Sequence, residues 1–131
     1  MRLMIVDDEA PARKMIRQFL ALPGMCFCEC ASGHEALQRV REFKPHWITA
    51  DIVMPDLDGF RLTETLRTEY PSARVIIVTG FNEPHHEERS RTAGAVALIR
   101  KENLTALRNM LTRELAGTYF LPLPTRTDPD K

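Results

Sequence analysis

The chain has 131 residues, 44% of them apolar and 27% charged, and its eighteen basic and eighteen acidic residues cancel. That length buries the core of one domain, and the balanced charge gives no overall field toward nucleic acid or an anionic membrane. No apolar run reaches the roughly 18–20 residues of a membrane span, and the start, Met1-Arg2-Leu3-Met4-Ile5-Val6-Asp7-Asp8, turns acidic too early for a secretory leader, which points to the cytoplasm.

Leu3 to Val6 is a short apolar run that ends on Asp7-Asp8. Ala12, Met15, Ile16, Phe19 and Leu20 then recur at helical spacing, with Pro11 suited to a first turn and Pro23-Gly24 as a stop. Met25 to Cys30 predicts a second strand. Its three cysteines share one face, neighbours about 6.5–7 Å apart by the strand rise; they read as small buried hydrophobes rather than as a disulfide framework or a soft-metal site. Ser32-Gly33-His34-Glu35 has the spacing of a capping box and opens a helix with Ala36, Leu37, Val40 and Phe43 on one face. Pro45 breaks that helix, and His46 to Ala50 forms a third strand that delivers Asp51.

The rhythm then repeats. A loop over Met54-Pro55-Asp56-Leu57-Asp58-Gly59 precedes a helix marked by Leu62, Leu66 and Tyr70, which Pro71 ends. Val75-Ile76-Ile77-Val78 is the strongest strand signal, and Ala95 to Ile99 predicts a fifth strand. The last helix carries Leu104, Leu107, Leu111 and Leu115, with Gly117 closing it. Strands alternating with helices imply right-handed βαβ crossovers and a parallel sheet covered on both faces, an α/β architecture.

In such a sheet ligands bind outside the carboxyl ends of the strands. Asp7 and Asp8 follow the first strand, Asp51 the third, Thr79 ends the fourth and Lys101 follows the fifth. Each alone would read as a surface residue; a matched set on four strands is a site. Clustered carboxylates repel unless a cation relieves them, and all-oxygen ligands suit Mg²⁺. A carboxylate can act as nucleophile and form an aspartyl phosphate, with a metal ion and a lysine neutralising the transferring group.

These residues, with Asp51-Ile52-Val53-Met54-Pro55-Asp56-Leu57-Asp58-Gly59 and Gly94-Ala95, make residues 1–116 resemble a response-regulator receiver domain. The resemblance implies a flavodoxin-like, doubly wound sheet of five parallel strands in the order 2-1-3-4-5. It implies that Asp51 accepts a phosphoryl group from a sensor histidine kinase or a phosphotransfer protein. Asp8 and Asp51 would hold Mg²⁺ directly with the Val53 carbonyl, and Asp7 mainly through water. Lys101 would pair with the phosphoryl group or Asp51, and the Thr79 hydroxyl would move inward on phosphorylation. Val53 and Phe81 would line the site. The domain would catalyse only its own phosphorylation and dephosphorylation, and would pass the signal to an output partner, with a second copy of the chain as a further candidate. It would bind neither membrane nor nucleic acid directly.

The chain departs from the family pattern in three places. Leu98 stands where a tyrosine or phenylalanine is usual, and Glu102 stands where a proline usually follows the lysine, which predicts an altered loop there. The segment Glu83 to Thr92 lacks a large apolar anchor, so it is expected to be loosely held and to serve as the moving part. Within it, His85 and His86 read as a solvated helix face rather than as a metal or phosphohistidine site. Residues 117–131, with Pro122, Pro124 and Pro129, read as a tail or linker. Two other classes fit parts of the pattern: the N-terminal piece of a DNA-binding regulator, and a Mg²⁺-dependent phosphatase with an aspartyl-phosphate intermediate.

Overall fold

Apolar runs between the acids form the strands, and the amphipathic stretches form helices that cover them. The computed structural model describes residues 1–80 and 83–120. In chain order these are β1 (Arg2–Val6), α1 (Ala10–Phe19), β2 (Cys26–Cys30), α2 (Gly33–Phe43), β3 (Trp47–Ala50), α3 (Gly59–Glu69), β4 (Arg74–Thr79), α4 (His86–Ala93), β5 (Ala97–Arg100) and α5 (Leu104–Phe120). A 3-10 turn over Lys101–Asn103 joins β5 to α5. All four strand pairings are parallel, and the order is β2-β1-β3-β4-β5, as expected.

Alternation along each strand splits the core in two. Met4, Val6, Ile48, Ala50, Val75 and Ile77 face α2, α3 and α4, while Leu3, Ile5, Trp47, Ile76 and Val78 face α1 and α5. The central strands are buried on both sides, which is why they read as unbroken apolar runs. The order reverses between β1 and β3, so a crevice opens beyond their carboxyl ends.

Local chemistry sets the helix ends. Ser32 Oγ accepts from the Glu35 N–H at 3.1 Å, and the Glu35 carboxylate reaches back to the Ala31 N–H at 2.8 Å, one residue earlier than a standard capping box. Asp58 caps α3 by accepting from the Arg61 N–H at 2.8 Å. Gly94, at φ +109°, closes α4 in the left-handed conformation that favours glycine.

Several expectations need correction. Met15 and Phe19 lie on the apolar stripe of α1 yet are exposed, because only Ile16 and Leu20 reach the sheet. Cys28 and Cys30 are buried, but Cys26 starts an edge strand and is exposed. The fifth strand begins at Ala97 rather than Ala95; Val96 is exposed, and Ala97 and Leu98 are only half-buried at the sheet edge. His86 is not on a solvated face: the residue is 8% exposed, and its ring lies 5.7 Å from the ring of Phe60. Gly117 does not close the last helix, which runs to Phe120; a helical glycine costs only about 1 kcal/mol. The expectations for Phe81, and for the tail beyond Phe120, fall outside the described residues.

Candidate functional site

The parallel ladder itself delivers the acids. Beyond β1 the Asp7 N–H still donates to the Cys30 carbonyl, and the Asp51 N–H donates to the Val6 carbonyl, both at 3.1 Å. Asp7 and Asp51 are thereby fixed side by side at the switch point, and both are buried. Asp8, next in the chain, is exposed at the mouth of the crevice. Asp7, Asp8 and Asp51 each offer a carboxylate oxygen, and these atoms lie within 4.8 Å of one another.

Lys101 enters from β5. Its ammonium lies 2.8 Å from Asp7 Oδ2 and 3.1 Å from Asp51 Oδ2. The stem passes Gly80, where an added Cβ would touch the lysine Cδ at 3.9 Å, an ordinary contact. Thr79 ends β4 and is buried. Val53 turns its side chain outward, 61% exposed. Every described residue expected in the site is therefore at the carboxyl edge of the sheet; the three acids cluster there, and Lys101 meets Asp7 and Asp51 directly.

The second oxygens of Asp51 and Asp7 are held by backbone. Asp51 Oδ1 accepts from the Ile52 N–H at 2.8 Å, and Asp7 Oδ1 accepts from the Glu9 N–H at 2.9 Å. Burial pushes the Asp51 carboxyl above its ordinary value, Lys101 pulls it back, and the Asp7 charge adds to the rise. For Lys101, burial works against the charge, but Asp7 and Asp51 outweigh it and hold its proton more tightly than usual. With all four groups ionised, three carboxylates against one ammonium leave two negative charges, matching one divalent cation. Hard oxygen donors in this number suit Mg²⁺, so the residues present fit that ion.

Asp56 has a role that the sequence does not reveal. From the loop after Asp51 it crosses to the start of α2 and accepts from the N–H groups of Gly33 at 3.3 Å and His34 at 2.9 Å. His34 Nδ1 lies 2.9 Å from the same carboxylate. Burial works slightly against the Asp56 charge, but the backbone donors win and its pKa is lowered. The loop after Asp51 is thus clamped to α2. The only sequence sign is an acid in a turn, and the partner is distant in the chain.

The family description "Response regulator receiver domain" matches residues 3–112. Protein-glutamate methylesterase/protein-glutamine glutaminase 5 of Myxococcus xanthus is 37% identical over 119 residues, 88% of this chain and 34% of that protein. The transcriptional activator protein ExaE of Pseudomonas putida is 31% identical over 130 residues, 97% of this chain and 61% of that protein. The chain thus spans less than two thirds of these relatives. Among solved structures, a LuxR-family two-component response regulator from Aurantimonas sp. superposes with a TM-score of 0.80 at 28% identity, covering 88% of this chain and 85% of that one. A CheY-like receiver domain protein from Methanospirillum hungatei gives 0.78 at 29% identity, covering 87% and 92%. Among the described residues, no helix is long and apolar enough to cross a membrane.

Proposed function

The chain belongs to the response regulator receiver domain family, and on that premise we propose that Asp51 is its phosphoacceptor, supplied by a sensor histidine kinase or a phosphotransfer protein. The observation that carries the assignment is the Lys101 ammonium held between Asp7 and Asp51 at the carboxyl edge of the sheet. A cation fixed there can follow a phosphoryl group onto Asp51 without moving far. Residues 1–116 are the receiver unit on this reading, and it works in the cytoplasm.

In the transfer an Asp51 oxygen attacks the phosphorus of the donor phosphohistidine. The new O–P bond makes an acyl phosphate as the P–N bond breaks, and its electron pair returns to the leaving imidazole. The Ile52 N–H holds one Asp51 oxygen and so fixes the plane of the carboxylate. Lys101 exchanges its contact with Asp51 for one with the phosphoryl oxygens, while Asp7 keeps the ammonium in place. Thr79 donates its hydroxyl to a phosphoryl oxygen. Asp8 and Asp51, with the Val53 carbonyl, would hold Mg²⁺ directly and Asp7 through water; when bound, the ion neutralises charge on the transferring group. Hydrolysis of the acyl phosphate returns the domain to its resting state, so its chemistry is confined to its own modification.

Acetyl phosphate with Mg²⁺ should add one phosphoryl group, read by intact-mass spectrometry and localised to Asp51. Labelling should vanish in Asp51→Asn; labelling that persists undiminished there refutes the assignment.

The signal leaves through α4. The movement of Thr79 pulls on the chain that follows β4, and α4 is the next element along it. Leu98 supplies no ring to report the change, so the helix itself is the reporter. Beryllofluoride with Mg²⁺ should slow amide hydrogen exchange over residues 83–93. Changed protection in α5 alone would sink this route.

A further inference from the structure

Outside the acidic crevice, the described residues hold one other group of three side chains placed to share a cation: Glu83, His85 and His86, whose ligand atoms lie within 4.8 Å of one another. We propose that these residues bind a borderline transition ion of the Zn²⁺ class at the start of α4.

The donors come from one short stretch, Glu83-Pro84-His85-His86, in which proline limits the backbone. Glu83 Oε1 is 3.7 Å from His85 Nε2, and the rings of His85 and His86 meet edge to face at 4.8 Å between centroids. His86 is the fixed member: the residue is 8% exposed, its ring is tilted on Phe60, and its Nδ1 accepts from the Glu83 N–H at 3.2 Å. Glu83 and His85 are the adjustable ones, with side chains 56% and 58% exposed. Metal–ligand bonds of about 2.0–2.1 Å in a tetrahedron set ligand atoms roughly 3.3 Å apart. Two exposed side chains can rotate inward by that difference without disturbing the core.

The donor set also selects the ion. Two imidazoles and a carboxylate suit Zn²⁺, Ni²⁺ or Cu²⁺, whereas the all-oxygen crevice suits Mg²⁺. Three protein ligands leave a fourth position for water. In a neutral ring the nitrogen that accepts a hydrogen bond is the unprotonated one, so the lone pair available to a metal is the one now held by the Glu83 N–H. Binding through Nδ1 would exchange that hydrogen bond for a metal bond, still tying residue 83 to residue 86. Glu87 and Glu88 in the first turn offset the positive end of the helix and Arg89, which lies 4.2 Å over Phe60. A cation here would staple the start of α4, the helix through which the signal is proposed to leave; the metal site itself does not depend on that reading.

The test is calorimetric titration of the untagged full chain with Zn²⁺, in excess Mg²⁺ to occupy the acidic crevice. One equivalent should bind to the wild type, with affinity at least tenfold weaker in His85→Ala and unchanged in Asp51→Asn and Cys26→Ser. His85 is exposed, so its alanine variant keeps the fold, and circular dichroism checks that directly. The proposal is overturned if the wild type takes up no Zn²⁺, if His85→Ala weakens binding less than tenfold, or if Cys26→Ser or Asp51→Asn removes the site instead.

Discussion

Two helices follow the neighbouring strands β3 and β4, whose carboxyl ends both reach the site, and they are held in different ways. α3, after the strand that delivers Asp51, buries Phe60, Leu62 and Leu66 and has a side-chain cap from Asp58. α4, after the strand that ends on Thr79, buries only His86, Ser90 and Ala93 and has no side-chain cap. Full burial of each large side chain of α3 is worth about 1.5–3 kcal/mol, whereas a serine and an alanine return far less. The Ser90 hydroxyl is moreover buried without a hydrogen-bond partner among the described residues. The proposed acceptor thus stands on a scaffold that resists motion, and the hydroxyl proposed to sense it sits beside an element that gives way.

The strongest challenge to this contrast is to weaken each helix at its core. Leu66→Ala should cost about 2–5 kcal/mol in denaturant unfolding, since the cavity lies in the middle of the larger cluster. Ala93→Gly in α4 should cost only about 1 kcal/mol. Equal losses would erase the distinction.

A smaller effect probes the firm side alone. Asp8→Ala should weaken Mg²⁺ binding at least tenfold, about 1.4 kcal/mol, while Glu9→Ala should leave it nearly unchanged. Glu9 contributes its backbone N–H to Asp7, which the alanine retains. Matching losses would remove Asp8 from the set of direct ligands.

The smallest effect concerns acidity. Burial, opposed by Lys101 and aided by Asp7, raises the Asp51 pKa above the ordinary 3.8. Between those two values the folded state holds more protons than the unfolded one, so this group's contribution to stability falls as pH rises through that window. Without Mg²⁺, the Asp51 carboxyl carbon should therefore titrate above 3.8 by NMR. Asp51→Asn should melt slightly higher than the wild type at neutral pH, and the gap should close in acid. A titration at or below the ordinary value would show that Lys101 dominates after all.

The alternation of strands and helices and the edge that holds the site were legible because they depend on patterns within each segment, whereas the strand order followed from the family resemblance. Apolar runs ending on acids mark β1 and β3, and helical spacing marks the stretches between them. Features that depend on contacts between segments were not legible. The burial of His86 comes from Phe60 on another helix, and nothing around Glu83 to Thr92 announces it. The clamp by Asp56 depends on how the start of α2 sits against a loop more than twenty positions away. Cys26, Met15 and Phe19 were misjudged because periodicity tells which face a residue shares, not how far the covering layer extends.

The stretch from Ile52 to Gly59 is closed on itself, since the Gly59 N–H donates to the Ile52 carbonyl at 2.9 Å. A methyl group at Gly59 would collide with the Asp51 carbonyl oxygen, so the seam has no spare room. The loop therefore behaves as a cassette of fixed circumference. Lengthening it would force the seam open and carry Asp51 away from Lys101. Variety can enter only through outward side chains that carry no clamp, and Val53 and Pro55 are the exposed ones. A cassette of this kind could be exchanged between receivers as a unit, with Asp56 as its hydrogen-bonded latch to the neighbouring helix.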